Sequence, residues 1–281
     1  MTKILALIDG SAYARSVTAL SAWASGQLEI PVEILHVLGR RIASDFDLSG
    51  NLKAGARREL LKRMAELDEQ HAKLAQQKGR AILDAARQEI EAAGRPATSR
   101  LRHGDLLESL AELEREAAMV VIGKRGEAAD FARLHLGSNL ERVVRASKKP
   151  VLVAARAYTP FQSFLIAYDG GPSSKRAVEH VARSPLLKGL ECELLLVGSD
   201  TPEKRRLLEA PARQLQEAGF TLHTRLEQGA PEGVIQQHVE ARNIGLLVMG
   251  AYGHSRIRSL IIGSTTTELL RRCRVPVLMF R

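Results

Sequence analysis

The chain has 281 residues, 45% apolar and 26% charged, with 41 lysines and arginines against 32 aspartates and glutamates for a formal charge of +9; this is room for one large or two ordinary globular domains. No apolar run nears the roughly 18 residues that cross a bilayer, and the first, Ile4 to Ile8, stops at Asp9, so no membrane partner or secretory leader is expected and the predicted compartment is the cytoplasm. Two cysteines, Cys192 and Cys273, build neither a disulfide framework nor a zinc cluster, while the 4% aromatic content and the interleaving of basic with acidic residues disfavour nucleic acid.

From the N-terminus, Lys3 to Ile8 (KILALI) reads as a short buried strand ending in Asp9-Gly10-Ser11, and Ser11 to Ser25 carries helical spacing at Val17, Leu20 and Trp23. Val32 to Val37 (VEILHV) is a second buried strand. A polar loop, Ser44 to Gly50, then precedes a charged helical run in which Leu60, Met64, Leu67, His71 and Leu74 fall at alternating steps of four and three, a single apolar stripe. Gly79 interrupts it before Ile82, Ala86 and Ile90 continue. Such stripes usually face a core, so the run predicts a long helix covering its own sheet, with a partner-binding helix as the alternative. His71 is read as a packed or edge histidine rather than a ligand.

After Tyr158 to Gln162, a short join, the same phrases return. Phe164 to Tyr168 ends at Asp169-Gly170-Gly171, and Glu193 to Val197 (ELLLV) answers the second strand. Val120 to Gly123 matches Leu247 to Gly250, and GSNLERVVRASKKPVLV from Gly137 aligns without a gap to GSTTTELLRRCRVPVLM from Gly263. This is a duplication, and strands alternating with helices in each copy predict a doubly wound α/β fold with a mostly parallel sheet. Asp9 and Asp169 lie 160 positions apart but Gly123 and Gly250 only 127, so the first copy carries 33 extra residues after its second strand.

In a parallel sheet the ligand site lies off the carboxyl ends of the strands, where Asp169 and Gly250 can converge. Bare backbone at Gly250, Gly253 and Gly263 would admit a ligand, and the Gly263-Ser264-Thr265 helix start offers unpaired N–H groups to an anion. There is no Gly-x4-Gly-Lys-Ser/Thr, and no Gly-x-Gly-x-x-Gly follows either first strand, which argues against fast hydrolysis and hydride transfer. His254 could contact a phosphate, whereas Arg256 and Arg258 read as a solvated basic rim. Cys273 reads as packing.

Gly250-x2-Gly253-x9-Gly263-Ser264, set between an apolar strand and a VPVL strand, resembles the nucleotide loop of the universal stress proteins, and the likeness covers nearly the whole chain as a tandem pair. The resemblance implies five strands per half and ATP, with Mg2+ as an optional companion, as the ligand. Adenine would lie near Asp169 and Val197, and ribose and phosphates on Gly250, Gly253, Gly263, Ser264 and Thr265; Met249, His254 and Thr266 complete the candidate set. It also implies pairing through last strands, here Val151 to Ala154 with Val277 to Phe280, a pseudo-two-fold dimer within one chain to which homodimerisation could be added.

The first half departs from this pattern, with ten residues rather than nine between its last two glycines and with Glu127 and Asp130 where phosphate would approach. Unless Lys124, Arg125 or Arg133 offsets them, these carboxylates repel an anion. Asp9, Val37, Gly123, Gly126, Gly137, Ser138 and Asn139 therefore form a vestigial or differently selective site. The predicted domains are 1–157, with a helical insertion at about 39–94, and 160–281. The functional expectation is an ATP-binding stress-response module acting on an unidentified protein partner, with no catalytic residue and no metal ligand assigned. The alternatives are a slow ATPase or phosphotransferase using Asp169, and a ligand-independent scaffold built on the Leu60 to Leu74 stripe.

Overall fold

Near-continuous runs of Val, Ile and Leu are buried on both faces only in a sheet that helices cover on both sides, and that is the arrangement found. The computed structural model describes residues 2–39, 54–127, 137–251 and 264–281. The first half comprises β1 (Lys3–Leu7), α1 (Ala14–Leu28), β2 (Val32–Leu38), α2 (Ala54–Ala92), β3 (Ala97–His103), α3 (Leu106–Leu113), β4 (Ala117–Gly123), α4 (Ser138–Ala146) and β5 (Val151–Ala154). The second comprises β6 (Ser163–Ala167), α5 (Pro172–Arg183), β7 (Glu191–Val197), α6 (Pro202–Glu217), β8 (Leu222–Glu227), α7 (Pro231–Ala241), β9 (Leu246–Gly250), α8 (Ser264–Arg272) and β10 (Val277–Phe280).

The strands form one sheet of ten in the order β3-β2-β1-β4-β5-β10-β9-β6-β7-β8. Among the described residues every neighbouring pair within a half is parallel, and the halves meet at one antiparallel pair, β5–β10. There Leu278 lies opposite Leu152, its own counterpart in the repeat, so a two-fold axis passes through that pair. The pairing expected of Val151 to Ala154 with Val277 to Phe280 is present. Edge strands β3 and β8 carry Arg100, Arg102 and Arg225, charges that discourage further strand addition.

The core is two layers, one on each face of the sheet, and each runs through both halves. One holds Val17 and Leu20 of α1, Leu83 and Ile90 of α2, Val178 of α5 and Leu215 of α6, together with Leu152 and Leu278. The other gathers α3, α4, α7 and α8 around Val153 and Val277. Cys192 and Cys273 are buried, and burial pushes both thiols up, so they serve as packing groups.

The inserted helix departs from expectation. α2 is continuous from Ala54 to Ala92, and Gly79 does not break it. Instead Gly79 marks where the helix crosses the sheet closely, since a Cβ there would stand 2.9 Å from Leu101 Cδ1 and 3.0 Å from His36 Cδ2. Only the part beyond Gly79 covers the sheet, through Leu83, Ala86 and Ile90. Leu60, Leu67 and Leu74 are 38%, 54% and 61% exposed, and His71 is exposed with them. The stripe therefore does not cover its own sheet, because α2 outruns the strands beneath it.

Candidate functional site

Parallel pairing of β1 with β4 and of β6 with β9 brings the ends of the first and fourth strands of each half side by side. In the first half this edge opens into a cavity of roughly 370 Å³. Asp9, Val37, Gly123, Gly126 and Asn139 line it, as do Asp105, Arg125 and Arg142. Gly137 and Ser138 are adjacent in the α4 start but lie outside the lining.

Each group is held by local chemistry. Asp9 turns its carboxylate back on the chain, Oδ1 accepting from the Ser11 amide at 3.0 Å and Oδ2 from the Glu127 amide at 3.0 Å. A base arriving at Asp9 must compete with those two donors. Gly137 is required by crowding, because a Cβ would lie 3.2 Å from Arg125 Cα and from the Gly126 nitrogen. Asp105 caps α3 by accepting from the Leu107 and Glu108 amides and pairs with Arg142 at 2.7 Å. The Arg142 guanidinium, with the Leu107 amide next, holds the Asp105 carboxyl below its ordinary value.

The charge balance around Glu127 differs from expectation. Its carboxylate is paired by Lys78, which comes from the inserted helix α2. Lys124 plays no part in that balance. Its amine runs into the second half and donates to the Cys273 carbonyl and, at 3.4 Å, to that of Val275. Arg125 does face the cavity, while Arg133 and Asp130 lie outside the described residues.

In the second half Asp169 Oδ1 accepts from the Gly171 amide at 2.8 Å and from the Ser174 hydroxyl at 2.6 Å, and Gly170 turns the chain with φ +76°. Val197 is half-buried at the end of β7. Beside it Lys204 of α6 lies over Gly198, where a Cβ would fall 1.8 Å from Lys204 Nζ. Met249 is buried in the core layer, and Thr266 is buried with its hydroxyl donating to the Ala251 carbonyl at 3.3 Å, which ties α8 to β9. Thr265 is half-buried in the first turn of α8, which Ser264 begins. Gly253, His254 and Gly263 lie outside the described residues, with Arg256 and Arg258.

Gly250 has a reason to be glycine apart from any ligand. A Cβ would meet Ser173 Cβ at 2.7 Å and the Ser174 nitrogen at 3.1 Å, so the start of α5 sits directly on it. Gly123 repeats the arrangement against Tyr13 Cβ at 2.7 Å. Gly250→Val is therefore expected to displace α5 and cost about 1–3 kcal/mol, to be read as a lowered thermal midpoint without nucleotide present.

Sequence reasoning missed Lys78, Asp105, Arg142 and Lys204. Lys78, Arg142 and Lys204 come from helices whose charges look like ordinary solvated faces, while Asp105 follows just after β3 as the cap of α3 and reads as a capping residue.

Comparison with known proteins gives one answer throughout. The model of the universal stress protein family matches residues 1–155 and again 160–281. A universal stress protein of Synechocystis sp. is 36% identical over 287 residues, covering 100% of both chains. One from Mycolicibacterium smegmatis is 23% identical over 99% of this chain and 96% of its own. Among solved structures, a universal stress protein from Archaeoglobus fulgidus superposes with a TM-score of 0.71 at 24% identity, covering 99% of this chain and 98% of that one.

Proposed function

This chain belongs to the universal stress protein family, and from that membership we propose that it is a nucleotide-responsive stress module that binds ATP and passes the occupancy to a protein partner, without rapid turnover. The second half, residues 160–281, is the ATP-binding domain, and residues 1–157, with their insertion at about 39–94, form a second domain with a weaker or differently selective site. The cytoplasm is its compartment; among the described residues no helix is long and apolar enough to cross a membrane.

The observation that carries this reading is the edge cavity, which repeats in position what the second-half motifs require. Its roughly 370 Å³ falls within the range of small-ligand sites. Its charged lining combines carboxylates that could accept from a base or ribose, Asp9, Asp105 and Glu108, with the cations Arg125 and Arg142. Lys78 reduces the repulsion that Glu127 would exert on phosphate. The ten-residue loop spacing and the carboxylate of Glu127 support the weaker role of the first half. ATP bound in the second half would set adenine beside Asp169 and Val197 and phosphates at the α8 start, and any Mg2+ would be held mainly by phosphate oxygens and water.

Calorimetry on protein stripped of carried-over nucleotide tests this directly. ATP is expected to bind with one dominant stoichiometry, Gly263→Val to weaken it by about 100-fold or more by filling the cradle, and Gly137→Val to change it little. No heat at millimolar ATP, or equal loss from both substitutions, would overturn the assignment.

A further inference from the structure

The exposed arm of α2 is an amphipathic helix whose polar residues carry ion pairs along the helix and whose apolar face is unmatched among the described residues. On the outer side, Glu59 pairs with Arg63 at 3.3 Å and Glu69 with Lys73 at 2.7 Å. On the other side run Leu60, Met64, Leu67, His71 and Leu74, the three leucines between 38% and 61% exposed and Leu61 beside them at 48%. The arm from residue 58 to residue 77 is about 30 Å long at 1.5 Å per residue. Its base is anchored on the sheet by Leu83, Ala86 and Ile90, so it is held helical before it meets anything.

We propose that this arm forms a parallel two-stranded coiled coil with the arm of a second copy of the chain. The four-three spacing puts the leucines at the d positions and Met64 and His71 at the a positions of a heptad. Arg63 then takes a g position and Asp68 the e position five residues on, the pair of opposite charges that meets across a parallel interface, where Arg63 would add Asp68 of the second copy to its Glu59 partner within the helix, and the two-fold makes this contact twice. An antiparallel pair would bring Leu61 towards Asp68 of the second copy and lose that complementarity.

His71 is the one polar core position, and a lone polar a residue favours a single register, here histidine opposite histidine. Residues 58–74 hold four basic and four acidic side chains, so two arms meet without net repulsion. A neutral face of this kind lacks the basic excess that would favour an anionic membrane.

The inference is independent of the nucleotide reading and is tested on the full chain stripped of nucleotide. Light scattering after size exclusion is expected to give the mass of two chains at micromolar concentration. Leu67→Glu, which would bury a charge in the seam, is expected to weaken association by about 100-fold while leaving the thermal midpoint unchanged at dilutions where both proteins are single chains, since Leu67 is 54% exposed in the single chain. Leu74→Cys with a short bis-maleimide is expected to give a covalent dimer, because parallel arms set position 74 against itself, and Cys192 and Cys273 are buried. A single-chain mass, or a dimer that Leu67→Glu leaves intact, overturns the proposal. Failure of Leu74→Cys to cross-link in a Leu67→Glu-sensitive dimer overturns the parallel arrangement.

Discussion

Leu278→Ala is expected to destabilise the whole molecule by about 2–5 kcal/mol, the cost of truncating a fully buried leucine and leaving a cavity. Leu278 and Leu152 are both fully buried and face each other on the two-fold axis, in a core layer that contains helices of both halves. The loss is therefore shared. Trp23, the sole tryptophan, sits on α1 in the first half and packs against Phe161 of the join with ring centroids 4.9 Å apart, so its fluorescence reports the first-half side of the shared core layer while the substitution lies in the second half. Guanidinium unfolding followed at Trp23 is expected to shift to a lower midpoint together with the circular dichroism signal, in one transition with unchanged slope. A Trp23 transition that stays in place while the rest of the signal moves would show that the halves unfold separately.

The second large effect is a pH dependence from Lys124. Its side chain is almost wholly buried at the junction of the halves, where it meets the carbonyl of Cys273, just past the end of α8, and that of Val275. Carbonyl oxygens favour an ammonium, yet burial dominates and pulls its pKa down to about 8. In the unfolded chain the group keeps its ordinary value of 10.5. Between these two values the unfolded state holds more protons, so stability from this residue rises with pH, by about 3 kcal/mol in all. Below pH 8 the group is charged in both states and the contribution is constant.

Lys124→Met removes the titration and keeps the volume. Urea unfolding at pH 7 and pH 10.5 is expected to show the wild type gaining about 3 kcal/mol relative to the variant over that interval, whatever the difference at pH 7. Parallel profiles for the two proteins would show that Lys124 is not desolvated at the junction. The position in the second half that corresponds to Lys124 is Ala251, so this crossing is not repeated by its counterpart.

The duplication was fully legible in the residues because it rests on order alone. The match from Gly137 with that from Gly263, and the return of Asp-Gly after each first strand, depend on no contact. Parallel pairing followed from the alternation of strands with helices in each copy. The convergence of Asp9 with Gly123, and of Asp169 with Gly250, followed from the same topology. The reason for glycine at positions 123 and 250 did not, because a helix start resting on a strand end leaves the same residue as a ligand approaching it.

By itself the sequence determined the two βα repeats, their parallel sheets, the sheet edge at which Asp9 meets Gly123 and the amphipathic character of the inserted helix, since all of these are set by local order, period and side-chain polarity. Only the tertiary structure decided that the ten strands join in one sheet through Leu152 and Leu278, that Lys78 rather than Lys124 answers Glu127, and that the stripe from Leu60 to Leu74 stands off the sheet. The physical reason is common to the three. A hydrophobic period states that a face will be buried, and a charge states that it will be solvated or paired, but the partner is chosen by distance, and distance exists only once the chain has folded.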